Sequence, residues 1–153
     1  MPQRFRYATA VVVLATACMT GAAHAAKGVI VSNAWMRPTV ERQPVAPVYF
    51  DITSHRSARI VQITSPDADS VVIVDSDATD DRRTRTNFML EGGKTVRFAP
   101  RGTYVELRSV RRAVKNGDKV PLTLTLTDSK DRKSAVDVAV QVRGLAAPAS
   151  AKR

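Results

Sequence analysis

The chain has 153 residues, with 24 Lys and Arg against 14 Asp and Glu, a formal net charge of +10 and a hydrophobic fraction of 44%. That length is one ordinary domain with one core, and the composition excludes a disordered or collagen-like chain. A single Cys and two His exclude most zinc modules, disulfide-braced scaffolds and Cys-based redox proteins.

Arg4 and Arg6 precede an apolar stretch, residues 8–17, that is too short to span a bilayer, and Ala23-His24-Ala25 supplies a small-x-small cleavage pattern. Residues 1–25 therefore read as a secretory signal peptide, which places the mature chain in the periplasm. Cys18, after Leu14-Ala15-Thr16-Ala17, offers a lipoprotein anchor as the alternative, although Ala15 stands where such sites usually carry Leu. Cleavage after Ala25 removes the only cysteine, so the exported domain, residues 26–143, has to fold on packing alone.

Period-two alternation dominates that domain. Strands are expected at 29–35, 48–53, 59–64, 71–75, 85–90 and 95–98, followed by one in which Val105 and Leu107 alternate with Tyr104, Glu106 and Arg108. Val120, Leu122, Leu124 and Leu126 alternate with Pro121, Thr123, Thr125 and Thr127. Val136, Val138, Val140 and Val142 repeat the pattern beyond a hairpin loop at 128–134. Ser65-Pro66-Asp67, Gly92-Gly93, Pro100-Arg101-Gly102 and Asn116-Gly117-Asp118 supply turns. No long window carries a helical period. The expectation is an all-β antiparallel sandwich or small barrel, its core including Trp35, Leu122, Leu124, Val138 and Val140, with a flexible tail at 144–153.

Chemistry-bearing residues are few. A nucleophile needs an adjacent base, and the mature chain offers no Cys and one His, His55, within the polar run Ser54-His55-Arg56-Ser57. No elbow motif surrounds a Ser, and Gly92-Gly93 is a turn rather than a phosphate loop, so no enzyme is expected. Met36 and Met89 read as packing residues. Asp75, Asp77, Asp80 and Asp81 lack the spacing and the Gly of a calcium loop, and Arg82, Arg83 and Arg85 follow at once, so this stretch reads as a solvated loop. Arg108, Arg111, Arg112, Lys115 and Lys119 crowd one region, with Arg97 and Arg101 close by. They suit either a partner surface, for an acidic envelope protein or an anionic membrane, or a merely solvated basic face. Nucleic acid is not expected, because the few aromatics do not interleave with the basic run.

Several motifs together resemble one family. Ala34-Trp35-Met36-Arg37-Pro38-Thr39 is similar to its AW-x-R-x-T opening, and the run from Ala46 to Thr53 sits where the family has its A-x-YLTLTN strand. Thr64-Ser65-Pro66 resembles its SSP turn, and VRRAVKNGDKVPLTLTL, residues 110–126, resembles its L-K-x-x-L-x-x-GD-x-VPLTL ending. The family is the periplasmic copper chaperones labelled PCu(A)C. The resemblance implies a cupredoxin-like Greek-key fold and a Cu(I) site made by a His after the SSP turn, a later Met and a closing His-x-Met strand. Imidazole and thioether suit the soft ion.

Carried over by position, the first His falls on Val74, the Met on Arg82 or Arg85, and the closing pair on Tyr104 and Glu106. No His follows His55, and Met89 is the only thioether in that half of the chain. Copper(I) is thus implied only by resemblance. The expected protein is copper chaperone-like with a degenerate metal site. The alternative is a non-metal envelope module, binding or structural, that kept the sandwich.

Overall fold

Alternating apolar and polar residues favour extended backbone, since only there do residues i and i+2 share a face. The computed structural model describes residues 28–76, 84–85 and 87–144, and within them the chain forms ten strands and no helix. These are β1 Val29–Met36, β2 Val45–Ser54, β3 Ala58–Thr64, β4 Ala68–Asp75, β5 Thr84–Arg85, β6 Phe88–Leu90, β7 Thr95–Phe98, β8 Thr103–Val110, β9 Lys119–Asp128 and β10 Lys133–Val142. The expected signal peptide with Cys18, residues Asp77, Asp80, Asp81, Arg82 and Arg83, and the expected tail beyond Gly144 lie outside the described residues.

One continuous sheet follows the order β5-β4-β8-β2-β1-β10-β9-β3-β6, with β7 added to β2 beside β8. Every pairing is antiparallel except the short contact of β1 with β10. The sheet curls until β3 and β4, consecutive in the chain but not hydrogen-bonded to each other, come into contact. The result is the barrel-like β-sandwich that the alternation implied.

The core is the inner face of this curl. Ala46, Val48, Phe50 and Ile52 of β2 point inward while Pro47, Tyr49, Asp51 and Thr53 point out. Leu122, Leu124 and Leu126 of β9 and Val138, Val140 and Val142 of β10 complete the facing wall. Phe50 and Phe98, opposite each other on β2 and β7, bring their rings to 4.7 Å.

Four expectations need correction. Trp35 is half-buried on the outer face, and Met36 takes the core position at 0% exposure. The cause is a bulge between Ser32 and Trp35, where Asn33 adopts φ 53°. The extra residue reverses the parity of the strand beyond it. Met89 is not a packing residue, because Leu90 fills the core beside it and leaves Met89 56% exposed on the short edge strand β6. The strand expected at 85–90 is two strands on different parts of the sheet, β5 on β4 and β6 on β3. The last hairpin is tighter than 128–134, since β9 runs to Asp128 and β10 starts at Lys133. Asp128 makes that tightness possible: its Oδ1 accepts from the Lys130 and Arg132 amides at 2.8 and 3.0 Å, and its carbonyl accepts from the Asp131 amide.

Candidate functional site

Strands β4 and β8 carry three of the four positions at which the resemblance locates copper ligands. Val74 lies directly opposite Tyr104, and Val72 opposite Glu106. Partners across a ladder share a face, and Val105 and Leu107 between them are fully buried in the core. Val74, Tyr104, Glu106 and Arg108 therefore stand together on the outer face. Arg85 does not join them: it pairs with Ile73, on the other face, whereas Thr84 pairs with Val74. Arg82 lies outside the described residues.

The chemistry of this face is that of an ion-pair network. Glu106, only 8% exposed, accepts a hydrogen bond from Arg108 Nε at 2.9 Å, and Arg108 Nη2 donates to Thr84 Oγ1 at 3.4 Å. On the opposite side of β5, Arg85 Nη2 binds Asp75 Oδ2 at 2.7 Å, so the one described member of the acidic cluster is engaged by an arginine. An isopropyl group, a phenol and a carboxylate already held by a guanidinium do not make a Cu(I) site, since the soft ion wants imidazole or thioether. The soft donors lie elsewhere. Met36 is sealed in the core, Met89 is on β6, and His55 is in the β2–β3 turn, where its amide donates to the Gly28 carbonyl at 2.8 Å. Among the described residues no group of three or more His, Cys, Asp or Glu converges. The residues at these positions do not fit copper.

The basic run is largely neutralised within the domain. Arg108 serves Glu106, Arg111 Nε reaches Asp69 Oδ1 at 2.9 Å, and Arg112 grips Asp67 with both arms of its fork at 2.7 and 2.8 Å. Lys115 and Lys119 form no ion pair among the described residues.

A feature absent from the sequence reading lies next to the β4–β8 face. The rings of Trp35 and Tyr49 are 4.8 Å apart, those of Tyr49 and Tyr104 are 6.3 Å apart, and the Arg143 guanidinium sits 5.0 Å over the Trp35 ring. Burial pushes the Tyr49 phenol up from its usual range, while the positive charge of Arg37 works against that rise. The outward parity of Tyr49 and Tyr104 was readable from alternation. That of Trp35 was not, because the bulge sets it.

The family profile described as "Putative lipoprotein LpqE-like" matches residues 29–142. A "Putative lipoprotein Lxx21020" of Leifsonia xyli subsp. xyli is 26% identical over 117 residues, which are 74% of this chain and 70% of that protein. Among solved structures, the copper-bound PCuAC domain from PmoF2 superposes with a TM-score of 0.59 at 22% identity, covering 75% of this chain and 93% of that one. The Cu(I) form of DR1885 from Deinococcus radiodurans gives 0.54 at 18% identity, covering 77% and 81%. At such identities the likeness is one of fold, and the fold is the one the motifs implied.

Proposed function

The chain belongs to the LpqE-like family, and from that premise we propose that it is an exported, envelope-located relative of copper chaperone domains whose inherited Cu(I) site is degenerate. The family description and the curated relative, both lipoproteins by name, support a location outside the cytoplasm. The two solved structures of the same fold, a copper-bound PCuAC domain and a Cu(I) form, support descent from a copper-handling scaffold. One observation carries the loss of the site: Glu106, on the strand that should close it, is buried and held by Arg108 at 2.9 Å. A guanidinium already supplies the positive charge there, and among the described residues no thioether or imidazole stands on that face to compete for a soft cation. Nothing in the face suggests a reacting group, so the reading is non-catalytic.

Cu(I) titration of the protein against a competing chelator tests this. The unmodified chain should leave the chelator's copper in place. Val74→His, Tyr104→His, Glu106→Met and Thr84→Met, combined with Arg108→Ala, should create a one-to-one site. Thr84 is preferred to Arg85 because it shares the face, and a second version should carry Arg82→Met instead. Tight one-to-one binding by the unmodified chain would refute the reading and point to a site recruiting His55 or Met89, since Met36 is sealed in the core. No gain in either variant, with an unchanged circular dichroism spectrum, would refute the assigned positions.

A further inference from the structure

The register of the sheet lays a continuous row of side chains across its outer face. Lys119 lies opposite Gln141, Gln141 beside Trp35, and Trp35 opposite Tyr49. Tyr49 then meets Tyr104, which lies opposite Val74. Three half-buried rings thus occupy the middle of a row that crosses five neighbouring strands before it reaches β4. Arg143 covers one ring of the row, and Arg37 stands close enough to Tyr49 for its charge to bear on the phenol. Unlike Arg108, Arg111 and Arg112, neither Arg37, Arg143 nor Lys119 forms an ion pair among the described residues.

We propose that this row is a docking face for an acidic protein partner, with Trp35, Tyr49 and Tyr104 packing against it and Arg37, Arg143 and Lys119 receiving its carboxylates. Trp, Tyr and Arg are the residues that carry most binding energy at protein interfaces. The rings combine large contact area with few rotamers to freeze, and a guanidinium fork takes a carboxylate bidentately. Cations left without internal partners retain their charge for a partner and steer its approach. The face is also held in place before binding. Arg143 N donates to the Met36 carbonyl at 3.0 Å, and Val142 N donates to the Asp118 carbonyl at 2.9 Å. Thr39 and Val114 exchange two hydrogen bonds, at 3.0 and 3.2 Å, which pin the segments following β1 and β8 to each other. Anchors on strands tied in this way lose little freedom when a partner arrives.

The geometry favours a protein over an anionic lipid surface. The rings lie in a sheet face instead of protruding from a loop tip, so they offer area for packing and little to insert. Moreover, β1 enters at the β2–β3 turn, where Val29 pairs with Ser54, and reaches Trp35 about 20 Å further along. A chain tethered through the residues before Val29 presents the row at the end away from its tether. The inference is independent of whether copper is bound.

The experiment is site-specific photocrosslinking of the full-length chain in its source organism, with a benzophenone amino acid replacing Tyr49 and, as control, Arg59 on β3. Position 49 should yield one discrete adduct with an acidic protein, and position 59 should not. Arg37→Glu with Arg143→Glu should reduce the adduct about tenfold or more, and the corresponding Lys substitutions, which keep the charge and lose the fork, should reduce it less than the reversals do. Lys119→Glu, at an exposed strand position, provides a reversal that leaves Trp35 covered should the double variant fail to fold. The purified partner should bind the protein more weakly as salt rises. Absence of a discrete adduct, or an adduct indifferent to these charge reversals in folded protein, would overturn the proposal. So would binding to phosphatidylglycerol vesicles, abolished by the same reversals, without any protein adduct.

Discussion

Asp67 shows how one side chain can join distant parts of this chain. It sits in the turn between β3 and β4, 9% exposed, with its carboxylate taking both arms of the Arg112 fork and its carbonyl accepting from the Arg111 amide at 2.9 Å. The turn was legible from Ser65-Pro66-Asp67 and the positive charge of Arg112 from the basic run. Their pairing was not, because 45 residues separate them and many other carboxylates were available to Arg112. Asp67→Asn replaces an ionised acceptor with a neutral amide that can match only part of the fork. It should cost about 2 kcal/mol in urea unfolding, the usual loss for a hydrogen-bonded charge that is well shielded from water. Asp69 is a useful contrast, since its pair with Arg111 is about 60% exposed on both sides. Asp69→Asn should change stability by less than about 1 kcal/mol, as exposed ion pairs usually do. Equal losses in the two variants would show that burial is not what gives the Asp67 pair its weight.

At the scale of the strand, alternation made most elements legible because one face of each is buried and the other wet, as β2 and β9 show most cleanly. The face of a residue beyond an insertion is different, since it depends on where one extra residue is accommodated. In β1 that point is Asn33, and no period-two count starting at Val29 can foresee it. Asn tolerates the left-handed backbone there, and its Nδ2 donates to Asp51 Oδ2 at 2.8 Å, which ties the bulge to β2. The candidate site was legible in the same uneven way: Val74, Tyr104 and Glu106 share a face, but a two-residue strand sends Arg85 to the other side. Trp35 is the only tryptophan in the chain, so intrinsic fluorescence reports on the bulge alone. Its emission should be quenched readily by acrylamide in the folded protein, and Arg143→Ala should increase that quenching by uncovering the ring. A blue-shifted emission that resists quenching would mean that Trp35 packs in the core and that β1 is regular.

Across the whole molecule, carboxylates hold together a chain in which positive charge is in excess. Asp51, Asp67, Asp69, Asp75, Glu106 and Asp128 each pair with an arginine, and all but Glu106 and Asp128 reach one from another element or loop. Hydrogen bonds hold Asp51 and Asp128 below the ordinary carboxylate range. Asp51 is pulled down by the hydrogen bond from Asn33 and then by Arg97, and Asp128 is pulled down to about 2 by Arg132 and by the amides of Arg132 and Lys130. A carboxyl whose folded-state pKa lies below its unfolded value stabilises the fold above the unfolded value, because below it the unfolded chain binds the extra proton. That contribution is lost progressively as pH falls from about 4 towards 2. Protonation also leaves the cations without counter-charges, and their mutual repulsion grows. The melting temperature should therefore be nearly flat from neutral pH to about 5 and should drop steeply below about 4. Moderate salt should soften the drop by screening the released cations. Asp51→Asn should flatten part of it, since the variant has one fewer carboxyl to protonate. In a carboxyl-detected NMR titration Asp128 should reach its midpoint near pH 2. A midpoint at the ordinary aspartate value, or a melting temperature that rises on acidification, would mean that these pairs do not stabilise the fold in solution.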